Sequence, residues 1–384
     1  MLRRQRTLVL VVTEDWYFLS HRLPLALAAK ADGMRVVVLT GPGKRGDEIS
    51  SAGLEHRAFA LDRKSVNVSN EGRSIVSLAK AFSDLNPDIV HLVAAKPIVY
   101  GNIAATLLRC PRVVSAVAGL GHLYLGGGVG TAAMRLMYET TFRTMVNSRR
   151  GRRVIVQNAD DATLLVQRRM VQEGQLVLTV GAGVDVAKFR PSAEPDRGPI
   201  VILCHSRMLW DKGIGELVAA TRELRKDPLV PSFVLRLVGD PDQANPATIP
   251  LEQLDDWNRE GVAEWLGRRS NIPAELAECH IACLPSYREG APLSLIEAAA
   301  SGRPIVTTDV PGCREVVRNG ENGLLVPPRQ TERLASALRC LITDGSLRRS
   351  MGECGRKRAM AEFSTDVINR RVLGCYRELL DATI

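Results

Sequence analysis

At 384 residues the chain is longer than one hydrophobic core normally organises, so two domains of roughly 190 residues each are expected. Its 45% apolar content fits a soluble globular protein, and its formal charge of +9 points to an anionic partner: nucleic acid, an acidic membrane surface or a phosphorylated ligand. Aromatic residues make up only 4% and no stacking motif or recognition-helix signature is visible, which disfavours nucleic acid.

The N-terminus, MLRRQRTLVLVVTEDW, has a basic start and an apolar run too short for a secretory signal, so it reads as a first strand. No run of apolar residues reaches the length of a membrane-spanning helix. Eight scattered cysteines form no C-x-x-C pair, against a zinc ribbon or disulfide framework and in keeping with a reducing, cytoplasmic compartment.

Short β-branched runs alternate with helical stretches along the whole chain. Strands are predicted at TLVLVV (7–12), RVVVLT (35–40), DIVHLV (88–93), RVVSAV (112–117) and RVIVQN (153–158). A second set follows at IVILCHS (200–206), FVLRLVG (233–239), IACLPS (281–286), PIVTTD (304–309) and GLLVPP (323–328). Continuous apolar strands separated by helices predict parallel sheets covered on both faces. The proline-rich stretch PSAEPDRGP (191–199) divides the sets and reads as a linker between domains 1–190 and 200–365. The remaining segment, 366–384, is expected as a helix returning to the first domain. Each doubly wound domain should carry a ligand crevice at the carboxyl ends of its strands.

Within the first half, TAAMRLMYETTFRTMVNSRRGRR (131–153) sets Met134, Met137, Tyr138, Phe142, Met145 and Val146 at helical spacing beside several arginines. This pattern suits either an interfacial helix on anionic lipid or a core helix with a solvated basic end.

The most informative stretch is REGAPLSLIEAAASGRP (288–304), in which Glu289 and Glu297 flank an apolar run. Gly290 allows close backbone approach, Pro292 suits a first helical position, and Gly302 and Pro304 end the helix near Ala300. Leu293, Ile296 and Ala300 form its expected buried stripe, with Glu297 at the border. Along a helix the two carboxylates would stand ~12 Å apart, wider than the roughly 5–9.5 Å of glycoside hydrolase pairs. They suit two parts of one elongated polyol ligand whose charged middle lies at the helix N-terminus, or else ordinary structural positions. GDPD (239–242) reads as a turn rather than a metal site.

EGAPLSLIE resembles the E-x7-E motif of the retaining glycosyltransferases of family 4, which have the GT-B fold. CHSRMLWDKG (204–213) is similar to that family's R-x4-K segment, with Arg207 and Lys212. VGAGVDVAKFRP (180–191) and PGCREVVRNGENGLLVPP (311–328) resemble its flanking elements. TEDWYFLSHRLPLA and PDIVHLVAAKP resemble a branch that adds sugars, often N-acetylated, to lipid-linked oligosaccharides and O-antigens.

The resemblance implies two Rossmann-like domains facing an interdomain cleft. It places a nucleotide-sugar donor, with uridine as the implied base, on the second domain. Arg207 and Lys212 would hold the diphosphate, with Gly290, Ala291, Pro292 and Leu293 at the helix start. Glu297 would take the ribose and Glu289 the hexose. It implies no metal, no cofactor beyond the donor, and no protein nucleophile. A lipid-linked saccharide would be the acceptor, reached at the inner face of the cell membrane through segment 131–153.

The first half departs from the family pattern. The usual Gly-Gly pair after the first strand is replaced by TEDWYFLSHR, where Asp15 and His21 are acceptor-side candidates. The histidine usual after the strand at 112–117 is replaced by AGLGHLY, whose loop holds Gly119, Gly121 and His122. His122 is either the substitute imidazole or an ordinary structural histidine. A nucleotide-sugar epimerase of the same fold is the alternative enzyme.

Overall fold

A computed structural model describes residues 4–61, 68–120, 124, 129–147, 149–243 and 245–382. The chain divides into two units, Met1–Ala182 with Thr365–Ile384, and Gly183–Ser364.

The first unit holds β1 (Thr7–Val12), β2 (Arg35–Thr40), β3 (Glu55–Ala58), β4 (Ile89–Val93), β5 (Val113–Ala116), β6 (Arg152–Val156) and β7 (Leu176–Leu178). They form one parallel sheet in the order β3-β2-β1-β4-β5-β6-β7. Every residue of β1 and β4 is buried, which is why they read as apolar runs, Leu8–Val12 unbroken and Ile89–Val93 interrupted by His91. Alternate side chains build two cores. Val9, Val11, Val37 and Leu92 face one, and Leu8, Leu10, Val38 and Ile89 face the other. Each such side chain contributes about 1.5–3 kcal/mol of transfer free energy.

The second unit holds β8 (Ile200–His205), β9 (Phe233–Val238), β10 (Glu264–Trp265), β11 (Ile281–Leu284), β12 (Ile305–Thr308) and β13 (Gly323–Val326). Its parallel order is β10-β9-β8-β11-β12-β13. In both sheets the winding reverses beside the first strand, at β1/β4 and at β8/β11, which opens a crevice at the carboxyl ends of those strands.

The sequence pattern anticipates the central strands but not the edge strands β3, β7 and β10. EHRA and EW are polar enough to face water, and LVL of β7 is too short to show a pattern.

The stretch 191–199 is not a free linker. Arg303 donates to Ser192 Oγ at 2.6 Å, Arg348 pairs with Glu194 at 3.1 Å, and Pro195 O lies 3.1 Å from His280 Nε2. Arg303 and Arg348 are buried, so the polar strap supplies partners that water cannot.

Segment 131–153 also differs from its interfacial reading. The helix Val129–Thr141 continues as a π-turn, Phe142–Val146. Tyr138, Phe142 and Val146 lie in the core. Arg143 pairs with Glu139, and Arg152 is buried in β6. The apolar groups left outside are Leu136 and Met137, 66% and 39% exposed. The stripe is therefore a core seam, and a different edge of the helix meets solvent.

The last helix, Thr365–Asp381, belongs to the first unit, where Val372, Cys375, Tyr376 and Leu379 join the β1/β4 core. The Tyr376 hydroxyl is hydrogen-bonded to His91 Nδ1 on β4. Burial, helped by the Arg22 charge, pushes His91 down to about 3. Its folded value thus lies below the unfolded one, so the stability it protects is complete above pH ~6.5 and is lost as pH falls toward 3. We predict that a titration-silent His91→Gln chain unfolds with a shallower pH dependence. Chemical denaturation at pH 6, 5 and 4 should show its deficit against the parent shrinking by on the order of 1 kcal/mol per pH unit.

Candidate active site

The site is assembled where β8 and β11 end. After His205 the chain crosses Ser206–Lys212, including a short 3-10 turn Trp210–Lys212, before the helix Ile214–Leu224. After Leu284 it crosses Pro285–Pro292 before the helix Leu293–Ala300. Two glycines allow these loops to touch. Gly213 has φ +70, and a Cβ there would stand 2.1 Å from Pro285 O. Gly312 has φ +81, and a Cβ there would stand 2.6 Å from Glu289 O.

Lys212 Nζ donates to Glu289 Oε1 at 2.5 Å, and Ser286 Oγ donates to the same oxygen at 2.7 Å. Ser286 is itself fixed through its carbonyl, which accepts from the Thr308 hydroxyl. Lys212 and Glu289 are 15% and 13% exposed, so neither charge is well hydrated and each depends on the other. Glu297 lies one helix further in, with Oε2 3.0 Å from His205 Nε2. An ionised Glu297 requires the proton on that nitrogen, so His205 sets the orientation of the carboxylate.

Arg207 is half-exposed and donates to Asp242 Oδ2 at 2.8 Å. The GDPD turn thus supplies a counter-ion to Arg207. Pro292 is the N-cap rather than the first helical residue and offers no side-chain cap, leaving first-turn N–H groups of Leu293–Ala300 open to a ligand. Leu293 is only half-buried. The buried residues are Leu295, Ile296, Ala298, Ala299 and Ala300, because the helix lies deeper over the sheet than one stripe implies. Gly302, at φ +69, follows the helix end.

Cys204 and Cys313 flank this region, but burial pushes both thiols up to about 12, with Glu289 adding to the shift at Cys313. Neither is a thiolate at neutral pH, so neither offers a nucleophile.

In the first unit, Asp15 is buried and its carboxylate accepts from the backbone N–H of Trp16 at 2.6 Å and of Arg45 at 2.7 Å. It ties the loop after β1 to the loop after β2. His21 stacks on Tyr17 with centroids 4.3 Å apart, and its Nδ1 lies 2.7 Å from Ser20 Oγ. Burial and then the neighbouring Arg22 push it down to about 4, so it is neutral at physiological pH. Gly119 takes φ +113 after β5. Gly121 and His122 lie outside the described residues.

Sequence reasoning did not single out His205, Ser286 or Asp242. His205 was findable as the last residue of an apolar strand. Ser286 lies three residues before Glu289 in the same loop, whereas Asp242 pairs with Arg207 across 35 residues, a separation the sequence does not reveal.

Two parallel doubly wound sheets, the second with acidic and basic side chains meeting a helix start at its switch point, define a nucleotide-binding α/β protein of the GT-B kind. The family profile "Glycosyl transferases group 1" matches residues 185–358, and "Glycosyl transferase 4-like" matches residues 7–158. The chain belongs to this glycosyltransferase family and is a glycosyltransferase.

Among its relatives is the Campylobacter jejuni N,N'-diacetylbacillosaminyl-diphospho-undecaprenol alpha-1,3-N-acetylgalactosaminyltransferase, 27% identical over 94% of this chain and 98% of that one. Another is the Escherichia coli UDP-Gal:alpha-D-GlcNAc-diphosphoundecaprenol alpha-1,3-galactosyltransferase, 25% identical over 80% of each. Among solved structures, sucrose-phosphate synthase from Thermosynechococcus elongatus superposes with TM-score 0.79 at 21% identity, covering 99% of this chain and 100% of that one. Anabaena Alr3699/HepE, solved with UDP, gives 0.77 at 18%, covering 97% and 100%. These structural likenesses establish the fold.

Removing one partner of the Lys212–Glu289 pair leaves the other charge poorly solvated. Lys212→Met should cost on the order of 2 kcal/mol, below the ~3–5 of a fully buried pair. Equilibrium denaturation of Lys212→Met, Glu289→Gln and the double variant should give a coupling energy of about 1–3 kcal/mol; additive losses would contradict the pairing.

Proposed function

We propose that this chain is a retaining, metal-independent transferase. It moves a hexose, N-acetylated or closely related, from a uridine diphosphate donor to a saccharide on a polyprenyl diphosphate during surface-glycan assembly. The observation that carries the reading is the Lys212–Glu289 pair, set beside the uncapped start of Leu293–Ala300 at the β8/β11 switch point. The names of the two relatives, with their diphospho-undecaprenol acceptors and, in one, a UDP-sugar donor, support it.

In this reading Arg207, Lys212, the backbone of Gly290–Pro292 and the first-turn N–H groups of Leu293 and Ser294 stabilise charge growing on the departing diphosphate. Glu297, oriented by His205, accepts from the ribose hydroxyls, and Glu289 accepts from the sugar. The glycosidic bond to phosphate breaks as the acceptor oxygen bonds the anomeric carbon on the same face. The acceptor proton passes to a donor phosphate oxygen, so no protein group need become covalently attached. The loop of Gly119, Gly121 and His122 and the neutral His21 are assigned to the acceptor side. Asp15, its carboxylate engaged by two backbone N–H groups, is assigned to loop positioning.

A thermal-shift screen with UDP-, GDP- and ADP-sugars should show stabilisation by the uridine donors. In a transfer assay with a polyprenyl-diphosphate saccharide, Glu289→Gln, Glu297→Gln and Arg207→Ala should each lose about 10²–10³-fold in rate. Absence of any nucleotide-sugar stabilisation, or full rates in all three variants, would overturn the reading.

Among the described residues no helix is long and apolar enough to cross a membrane. We propose peripheral contact at the cytoplasmic leaflet through the solvent edge of Val129–Thr141, where Leu136 and Met137 stand out beside a basic segment. Leu136→Ser/Met137→Ser should co-sediment several-fold less with phosphatidylglycerol vesicles. High salt should release the parent, and salt-insensitive binding would count against it.

A further inference from the structure

Arg22 stands between the helices Asp15–His21 and Leu23–Ala31 and is 5% exposed. Its neighbours along the chain, Phe18, Leu25 and Ala26, are buried as well. Arginine is rarely buried unless paired, since taking a guanidinium out of water costs several kcal/mol. Here the pairing is missing. Its Nε is sealed from solvent without an acceptor, and among the described residues no carboxylate, carbonyl or hydroxyl receives a hydrogen bond from the guanidinium.

The groups that feel its charge do not offset it. His21 and His91 are neutral imidazoles, and Tyr376 is a neutral phenol already bonded to His91. Of the two acids in this loop, Asp15 is taken by the N–H groups of Trp16 and Arg45, and Glu14 makes an interaction of its own that does not involve Arg22. The helix after Arg22 adds a second positive element, because Leu23–Ala31 begins without a side-chain cap.

We infer that Arg22 is an anion-binding residue whose counter-charge arrives with a ligand, a phosphate group of the diphosphate-linked acceptor. Arg22 closes the first helix after β1, and its charge reaches His91 on β4 and Tyr376 of the returning helix. The guanidinium fork matches two phosphate oxygens at once. The identity of the anion as acceptor rests on the proposed transfer reaction, whereas the presence of an anion site does not.

The test uses the full chain with UDP saturating the donor site and inorganic pyrophosphate as probe. Pyrophosphate should raise the Tm of the parent, leave Arg22→Met unmoved, and act in between on Arg22→Lys. Without pyrophosphate, Arg22→Met should be at least as stable as the parent, since a lone buried charge has been replaced by an apolar side chain. In transfer assays its KM for a polyprenyl-diphosphate saccharide should rise about ten-fold or more, with the donor KM unchanged. A pyrophosphate response without that KM change would assign the site to free phosphate instead of the acceptor. An Arg22→Met chain that is less stable than the parent, or that keeps the parent's pyrophosphate response, overturns the inference. If the parent itself transfers no sugar yet responds to pyrophosphate through Arg22, the transfer reading fails and the anion site stands.

Discussion

A parallel sheet that winds outward in both directions from its first strand must send the connections of two neighbouring strands in opposite directions at one place. In the second unit that place is between β8 and β11. The loop leaving one strand carries Arg207 and Lys212, and the loop leaving the other carries Glu289 and the start of Leu293–Ala300. The contact between Lys212 and Glu289 follows from that topology. Without the reversal, right-handed crossovers would send successive loops to the same side and helices would cover the gap.

Desolvation gives the site its chemical character. Lys212 and Glu289, both mostly buried, hold each other in place through a bond that a ligand could exchange for its own. His205 performs the matching task for Glu297 from the end of β8, a position fixed by strand pairing rather than by a mobile loop. Arg207 differs in being half-exposed and held by Asp242, so it can follow a flexible diphosphate. Rigid acids and one adaptable base suit a ligand that is polyol at its ends and anionic between.

The first unit solves the opposite problem. Around β1, β4 and the first helix it carries neutral imidazoles, an aspartate committed to backbone and, among the described residues, a guanidinium with no counter-ion. The returning helix Thr365–Asp381 closes the core on that side and brings Tyr376 to His91 across a separation of 285 residues. The two sheets share a winding, but the charges at the second are paired while the buried Arg22 guanidinium of the first unit has no carboxylate partner among the described residues.

The sequence alone determined the parallel α/β class, because strands buried on both faces must be apolar throughout, and β1, β4 and β8 are legible for that reason. It also marked Glu289 and Glu297 by their spacing around one helix start, and Arg207 and Lys212 by resemblance to a family segment. It could not determine that residues 191–199 are strapped to Arg303 and Arg348, or that Tyr138 and Phe142 face the core. Nor could it tell that Arg22 is buried without a partner. Those outcomes depend on which face of an element meets which neighbour, a matter of long-range packing. A local pattern fixes the period of a helix or strand, and only the assembled fold decides where a charged side chain is cut off from water.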